Sequence, residues 1–177
     1  MNNYKIVFMG TPDFGIPSLN ELYKQGYEVE AVYTQPDRVN KRGNKVQFSA
    51  VKQFALEHDI TIYQPNSLKD EKELDVLRAL NPDLIIVIAY GKILPQAVLD
   101  IPKYGVINVH ASLLPKYRGA APVQRSIIDG EETTGVTIMQ LDAGMDTGNI
   151  IAEKSVSITP HMTTEDLFYV LTNVILL

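Results

Sequence analysis

The sequence predicts an α/β domain with a mainly parallel sheet. Short apolar segments alternate with stretches whose apolar residues recur every three or four positions, the pattern of strands separated by helices. The length of 177 residues suits one domain with one core, and 45% hydrophobic with 21% charged residues is ordinary globular composition. No internal repeat, low-complexity tract or interdomain linker interrupts the chain.

Taken in order, Ile6-Val7-Phe8-Met9 is a buried first strand that Gly10 ends. A helix follows with Leu19, Leu22 and Tyr23 on one face, and Gly26 is placed to stop it. Val29 to Tyr33 is the second strand, and Thr34 to Gln47 is an aperiodic, basic loop of the length that compact domains usually keep for function. Ser49 can cap a helix bearing Val51, Phe54 and Ala55, and Ile60 to Tyr63 is a short third strand. Ser67 with Asp70 predicts a capping-box-like start to a helix that Asn81-Pro82 ends. Leu84 to Ala89 is the central buried strand and Val106 to Val109 the next. Val136 to Leu141 and Ile150 to Val156 predict an irregular hairpin at one end of the sheet. Thr163 with Asp166 opens a last helix carrying Leu167, Phe168, Leu171, Val174 and Ile175. It reaches Leu177 without a C-cap, so the expectation is a chain cut inside a longer protein.

Composition narrows the function. There is no cysteine, which removes disulfide frameworks, thiolate nucleophiles and Cys-based zinc sites together. The three histidines, His58, His110 and His161, are too widely spaced to suggest a metal site, and none is expected. The longest apolar run, Leu84 to Ala89, is far too short to cross a bilayer, and Asp13 comes before any signal-peptide core. A cytoplasmic protein without membrane or disulfide partners is therefore expected. The net charge of −5 argues against a surface that is all nucleic-acid footprint. Two segments lack acids, however: Arg38, Lys41, Arg42 and Lys45, and then Lys116, Arg118 and Arg125. On charge alone both read as solvated loops, with attraction for an anion as the sharper alternative.

Ligands of open α/β sheets bind beyond the carboxyl ends of the strands. Gly10 to Gly15 follows the first strand but is not G-x-G-x-x-G, and no P-loop motif occurs, so those nucleotide chemistries lose their main support. The turn reads equally as a tight connection or a substrate contact. Asn108 and His110, two residues apart at a strand end, point to one side and combine an uncharged N–H donor with a titratable imidazole. Such a pair can hold the oxygen of an acyl transfer, although alone it reads as a packed, hydrogen-bonded pair. Two neighbouring features shift that balance. An irregular loop runs from Ala111 to Pro122, and an acidic, glycine-bearing loop holds Asp142, Gly144, Asp146 and Gly148. A carboxylate against His110 would orient the ring and favour its charged form. Asp142 reads as a turn former; Asp146 is the candidate for the ring.

Asn108-Val109-His110-Ala111-Ser112-Leu113-Leu114-Pro115, Tyr117-Arg118-Gly119-Ala120-Ala121-Pro122 and Gly135 to Gln140 with the loop to Gly148 strongly resemble the 10-formyltetrahydrofolate-dependent formyltransferases. The resemblance covers essentially the whole chain. Gly10-Thr11-Pro12-Asp13-Phe14 and Thr34 to Arg38 with Arg42-Gly43 resemble the members that act on methionyl-tRNA. The resemblance implies the formyltransferase fold, a Rossmann-like, mixed but mainly parallel sheet with helices on both faces. It implies formyl transfer from 10-formyltetrahydrofolate to the α-amino group of methionine on initiator methionyl-tRNA, for translation initiation. By position, Asn108, His110 and Asp146 match the catalytic trio. Ser112, Leu113, Leu114 and Pro115 match a folate-binding stretch, Tyr90 and Gly91 in the loop to Pro95 resemble another wall of that site, and Gly144 belongs with it. Arg42, with Arg38, Lys41 and Lys45, matches the loop that approaches the acceptor end of tRNA. The whole of residues 1–177 is expected to be a catalytic domain incomplete at its C-terminus, without the family's C-terminal tRNA-binding domain, and monomeric. Two alternatives stay open: a formyltransferase for a small amine, either an amino-sugar nucleotide or glycinamide ribonucleotide, and a non-catalytic folate- or RNA-binding relic.

Overall fold

In the computed structural model, which describes residues 4–39 and 46–174, the chain divides into two compact units, Met1–Val106 and Ile107–Leu177. The first unit is built on β1 (Lys5–Gly10), whose residues from Val7 on are wholly buried. A single 3-10 turn (Asp13–Gly15) leads into α1 (Ile16–Lys24), which turns Leu19 into the core. Gly26 follows the helix at φ +74°, where a side chain would be strained, so the glycine ends α1 as expected. Next come β2 (Glu28–Tyr33) and two two-residue strands, β3 (Arg38–Val39) and β4 (Val46–Gln47). These pair antiparallel, so the segment expected to be plain loop carries a small ladder that its polar sequence does not signal.

Helix α2 (Ala50–Glu57) is capped by Ser49, whose Oγ accepts from the Lys52 N–H at 3.1 Å. β5 (Thr61–Tyr63) starts one residue later than expected, because the Ile60 N–H donates back to the Ala55 carbonyl and closes the helix end. Helix α3 (Glu71–Leu80) is also shorter at its start. Its N-cap is Asp70, while the Ser67 hydroxyl accepts from the Lys69 N–H in a local turn, a use that competes with capping. Asn81 ends it at φ +47°. β6 (Leu84–Ile88) and the four-residue α4 (Gln96–Leu99) complete the unit. Its sheet has the order β5-β2-β1-β6, all parallel, with Ile6 opposite Leu84 and Gly10 opposite Ile88. Covered strands of this kind read as continuous apolar runs, which is why β1 and β6 were legible.

The second unit opens at the second residue of β7 (Val106–His110), then has α5 (Pro122–Ile128), β8 (Thr133–Gln140), β9 (Ile150–Ser157) and α6 (Thr164–Val174). β7, β8 and β9 are antiparallel in that order. The expected hairpin is present, but β8 begins at Thr133 rather than Val136, since Thr133, Thr134 and Gly135 pair with Ser157, Val156 and Ser155 without forming an apolar run. Helix α6 starts in the expected capping box: Asp166 accepts from the Thr163 N–H and hydroxyl, and its own N–H donates to Thr163 Oγ1. Leu167 and Leu171 are buried, and α6 packs on α5 and β8. Ile175 lies outside the described residues. Among the described residues no helix is long and apolar enough to cross a membrane.

Candidate functional site

All three residues of the candidate trio fall in the second unit. β7 sets Asn108 opposite Met139 and His110 opposite Thr137 of β8, so the two share a face by strand alternation. His110 is buried. Its Nε2 lies 2.9 Å from the Tyr117 carbonyl oxygen, and because a carbonyl only accepts, Nε2 carries a hydrogen and donates it there. Its Nδ1 faces Asp146 Oδ2 at 3.7 Å, beyond hydrogen-bond length. Asn108 is half-buried, and among the described residues its carboxamide has no hydrogen-bond partner.

The loop after β7 departs from ordinary backbone geometry. Tyr117, Gly119 and Ala121 stand at φ +57°, +82° and +58°. Such conformations in non-glycine residues persist only where surroundings over-determine them, and they gather at functional sites. Here the surroundings are visible. The Tyr117 hydroxyl donates to Glu131 Oε1 at 2.8 Å, and Lys116 Nζ bridges both Glu131 oxygens at 2.8 and 2.9 Å. Lys116, then Tyr117, holds the Glu131 carboxyl below the usual carboxylate range. Burial, then Glu131, pushes the Tyr117 phenol up, so it remains a donor. Two residues on, the Gly119 N–H donates to Asp146 Oδ2 at 2.7 Å.

The stretch from Ser112 to Pro115 is held from beneath. Thr137 Oγ1 accepts from the Leu114 N–H at 3.1 Å and lies 2.7 Å from the Ser112 carbonyl, while Ser112 Oγ donates to the Lys116 carbonyl at 2.6 Å. Ser112 and Leu114 side chains are buried, so the segment offers a ligand its backbone, half-buried Leu113 and exposed Pro115. In the acidic loop, Asp142 Oδ1 accepts from the Gly144 N–H and the Thr147 hydroxyl at 3.0 and 2.7 Å, the turn-forming role expected of it. Asp146 itself stands at φ +51°, a conformation Asp tolerates better than most residues. A Cβ on Gly148 would run into the Gln140 carbonyl, so only glycine lets this loop close on β8.

Tyr90 and Gly91 belong to the first unit, after β6. The Tyr90 ring is buried, its phenol pushed up to about 12 by burial, and its carbonyl accepts from Thr11 Oγ1 and Gln35 Nε2. Gly91 is exposed at φ +80°. Arg38 is exposed on β3; Lys41, Arg42 and Lys45 lie outside the described residues. Close by in the first unit, Asp37 accepts from Lys52 and from Gln64 Nε2, and Gln64 also donates to the Gln35 carbonyl and accepts from Lys52. Lys52, then Gln64, holds the Asp37 carboxyl below its usual range.

Sequence reasoning did not single out Tyr117, Gly119 or Glu131 as parts of the site. The Tyr-Arg-Gly stretch signals an irregular loop, but no spacing rule ties Glu131 to Tyr117 or Gly119 to Asp146. Among the described residues no group of three or more His, Asp or Glu stands close enough to hold a metal ion.

A family model described as formyl transferase matches residues 4–173. The chain is 56% identical over 168 residues to a methionyl-tRNA formyltransferase of Clostridium perfringens, covering 94% of this chain and 54% of that one. It is 50% identical over 167 residues to the methionyl-tRNA formyltransferase of Legionella pneumophila, with 94% and 53% covered. The chain thus spans about half the length of the curated relatives it matches. Among solved structures, phosphoribosylglycinamide formyltransferase from Bacillus halodurans aligns with a TM-score of 0.80 at 24% identity, over 96% of this chain and 88% of that one. A formyltetrahydrofolate deformylase from Pseudomonas syringae aligns at 0.78 and 20%, over 98% and 57%. At these identities the structural likeness speaks for the fold.

Proposed function

The chain belongs to the formyl transferase family, and from that premise we propose that it is the catalytic part of an enzyme that moves the formyl group of 10-formyltetrahydrofolate to the α-amino group of methionine on initiator tRNA. The observation that carries this reading is the meeting of Asn108, His110 and Asp146 around a gap in the second unit. The free α-amino group titrates near about 7.7–8.0, so a neutral amine is available without a strong base. It attacks the formyl carbon; a C–N bond forms, the bond from that carbon to the folate nitrogen breaks, and the leaving nitrogen takes a proton. As the formyl oxygen gains negative charge, the Asn108 amide, unpartnered among the described residues, donates to it. His110 adds a second donor at Nδ1 when its ring is charged, across from Asp146. Asp146 collects the amine's proton directly or through a bridging water.

Folate supplies an activated formyl group on a flat ring system. Leu113 and Pro115 offer it an apolar surface beside backbone polar groups, with Ser112, Leu114 and Gly144 shaping that surface. Arg38, Lys41, Arg42 and Lys45 attract the phosphates of the tRNA acceptor end. The reaction places the enzyme in the cytoplasm, and the chain acts as a monomer.

A second reading, transfer to a small amine such as glycinamide ribonucleotide, draws on the phosphoribosylglycinamide formyltransferase folds that this chain matches over most of their length. Incubation with 10-formyltetrahydrofolate and methionyl-tRNA, glycinamide ribonucleotide or an amino-sugar nucleotide separates the readings. Formylation of methionyl-tRNA alone is expected. Transfer only to a small amine selects the second reading, and binding without transfer to any acceptor means a non-catalytic relic.

A further inference from the structure

The stretch from Tyr117 to Gly119 touches both ends of the candidate acid–base pair. Its first carbonyl takes the His110 Nε2–H, and its last N–H holds Asp146 Oδ2. We propose that Tyr117 and Glu131 are positioning residues that lock His110 in the Nε2–H form and set the gap between its Nδ1 and Asp146. The inference rests on the proposed formyl transfer for its consequence, but not for its geometry.

A neutral imidazole has one donor and one acceptor nitrogen, so whatever fixes one decides the other. Asp146 cannot orient the neutral ring in this arrangement. With Nε2 protonated, Nδ1 presents a lone pair to a carboxylate 3.7 Å away, and neither group has a hydrogen to share. The ring is therefore held from its other side, by the Tyr117 carbonyl. That carbonyl is aimed by a left-handed backbone, which a bulky aromatic residue adopts only under constraint. The constraint is the phenol's hydrogen bond to Glu131. Glu131 lies just past the end of α5 and is tied back to it by its N–H, which donates to the Ser126 carbonyl at 3.0 Å, and Lys116 keeps it ionised as an acceptor. The line of hold therefore runs from Glu131 through Tyr117 to His110. The same short stretch then restrains Asp146 through Gly119, so the gap is spaced by backbone rather than by direct pairing. Nδ1 is left as the ring nitrogen that faces Asp146 across the gap.

The test uses the full 177-residue chain labelled with nitrogen-15 at histidine, since nitrogen shifts distinguish the two neutral tautomers and the imidazolium. Parent protein should show His110 as Nε2–H when neutral. Tyr117→Phe, which removes only the hydroxyl, should give a mixed tautomer signal and lower kcat by up to about tenfold, the kinetic equivalent of one net hydrogen bond, with little change in KM for folate. Glu131→Gln, which can still accept from the phenol, should keep the Nε2–H signal and recover most of the rate, while Glu131→Ala should resemble Tyr117→Phe. A parent signal for Nδ1–H, or unchanged tautomer in both Tyr117→Phe and Glu131→Ala, would overturn the proposal. Should the tautomer respond as stated while no acceptor is formylated by the parent, the positioning device stands and the formyl-transfer reading fails.

Discussion

Two polar clusters, one in each unit, use similar groups to opposite ends. In the first unit Asp37, Lys52, Gln64 and Gln35 form a closed set in which each side chain named meets a partner of the right kind, and none of them stands at positive φ. In the second unit the Asn108 amide is unused among the described residues, His110 and Asp146 stop 3.7 Å short of each other, and Tyr117, Ala121 and Asp146 hold left-handed backbone. A closed polar set rigidifies a fold. An open set, held apart by strained backbone, stores the capacity to bind and polarise something else. The difference teaches where chemistry is to be sought: not where charges are most numerous but where hydrogen bonds are left unfinished.

The comparison breaks most visibly at the open cluster. Asn108→Ala is expected to raise the barrier to formyl transfer by about 2.7–4 kcal/mol, as loss of an oxyanion donor does elsewhere, with thermal stability nearly unchanged. Asp146→Asn, which preserves shape but removes a charge and a proton acceptor, should depress transfer sharply while leaving folate binding nearly intact. Rates measured beside folate affinity check both, and parental turnover in both would falsify the assignment. Gly148→Ala comes next. Its Cβ would press on the Gln140 carbonyl, costing about 1–3 kcal/mol of stability and moving Asp146 enough to lower transfer; a melting curve with a rate assay shows both.

The closed cluster should answer in the other currency. Asp37→Asn is expected to cost about 1–3 kcal/mol of stability by weakening a charge-assisted set, with the transfer rate per folded molecule little changed. The smallest effect is its pH dependence. The native Asp37 carboxyl ionises more readily than in the unfolded chain, where it titrates near about 3.9. Its contribution is therefore complete above that value and fades as pH falls through the lowered native one. Urea unfolding of parent and Asp37→Asn should give a constant stability gap from pH 7 to 5 that closes only below about pH 4. A gap that closed near neutrality would show that another group carries the effect.

Much of this was open to a reader of residues alone. Ile6 to Met9 and Leu84 to Ile88 announce themselves as covered strands because burial on both faces forbids polar interruptions. Ser49 and the Thr163–Asp166 pair mark helix starts because capping is local chemistry, complete within four residues. Asn108 and His110 are legible as a pair for the same reason, since two-residue spacing on a strand fixes a shared face. Ser67 misled because a hydroxyl can serve a turn as readily as a cap, and β8 began early because Thr133 to Gly135 pair through backbone, which every residue carries alike.

What residue order determined, then, was every feature whose energy depends on neighbours in sequence: the alternation of strands and helices, the helix caps, the side of the strand that Asn108 and His110 share. What only the tertiary structure decided depends on groups brought together from far apart. Nothing in the spacing of Glu131 and Tyr117, or of Gly119 and Asp146, says that they meet, for such contacts follow from where α5 and β8 carry the chain. The left-handed turn at Tyr117 is equally invisible beforehand, because a tyrosine adopts it only when distant partners repay the strain. The protonated nitrogen of His110 is therefore a tertiary property, set by a backbone carbonyl whose direction no side-chain pattern encodes.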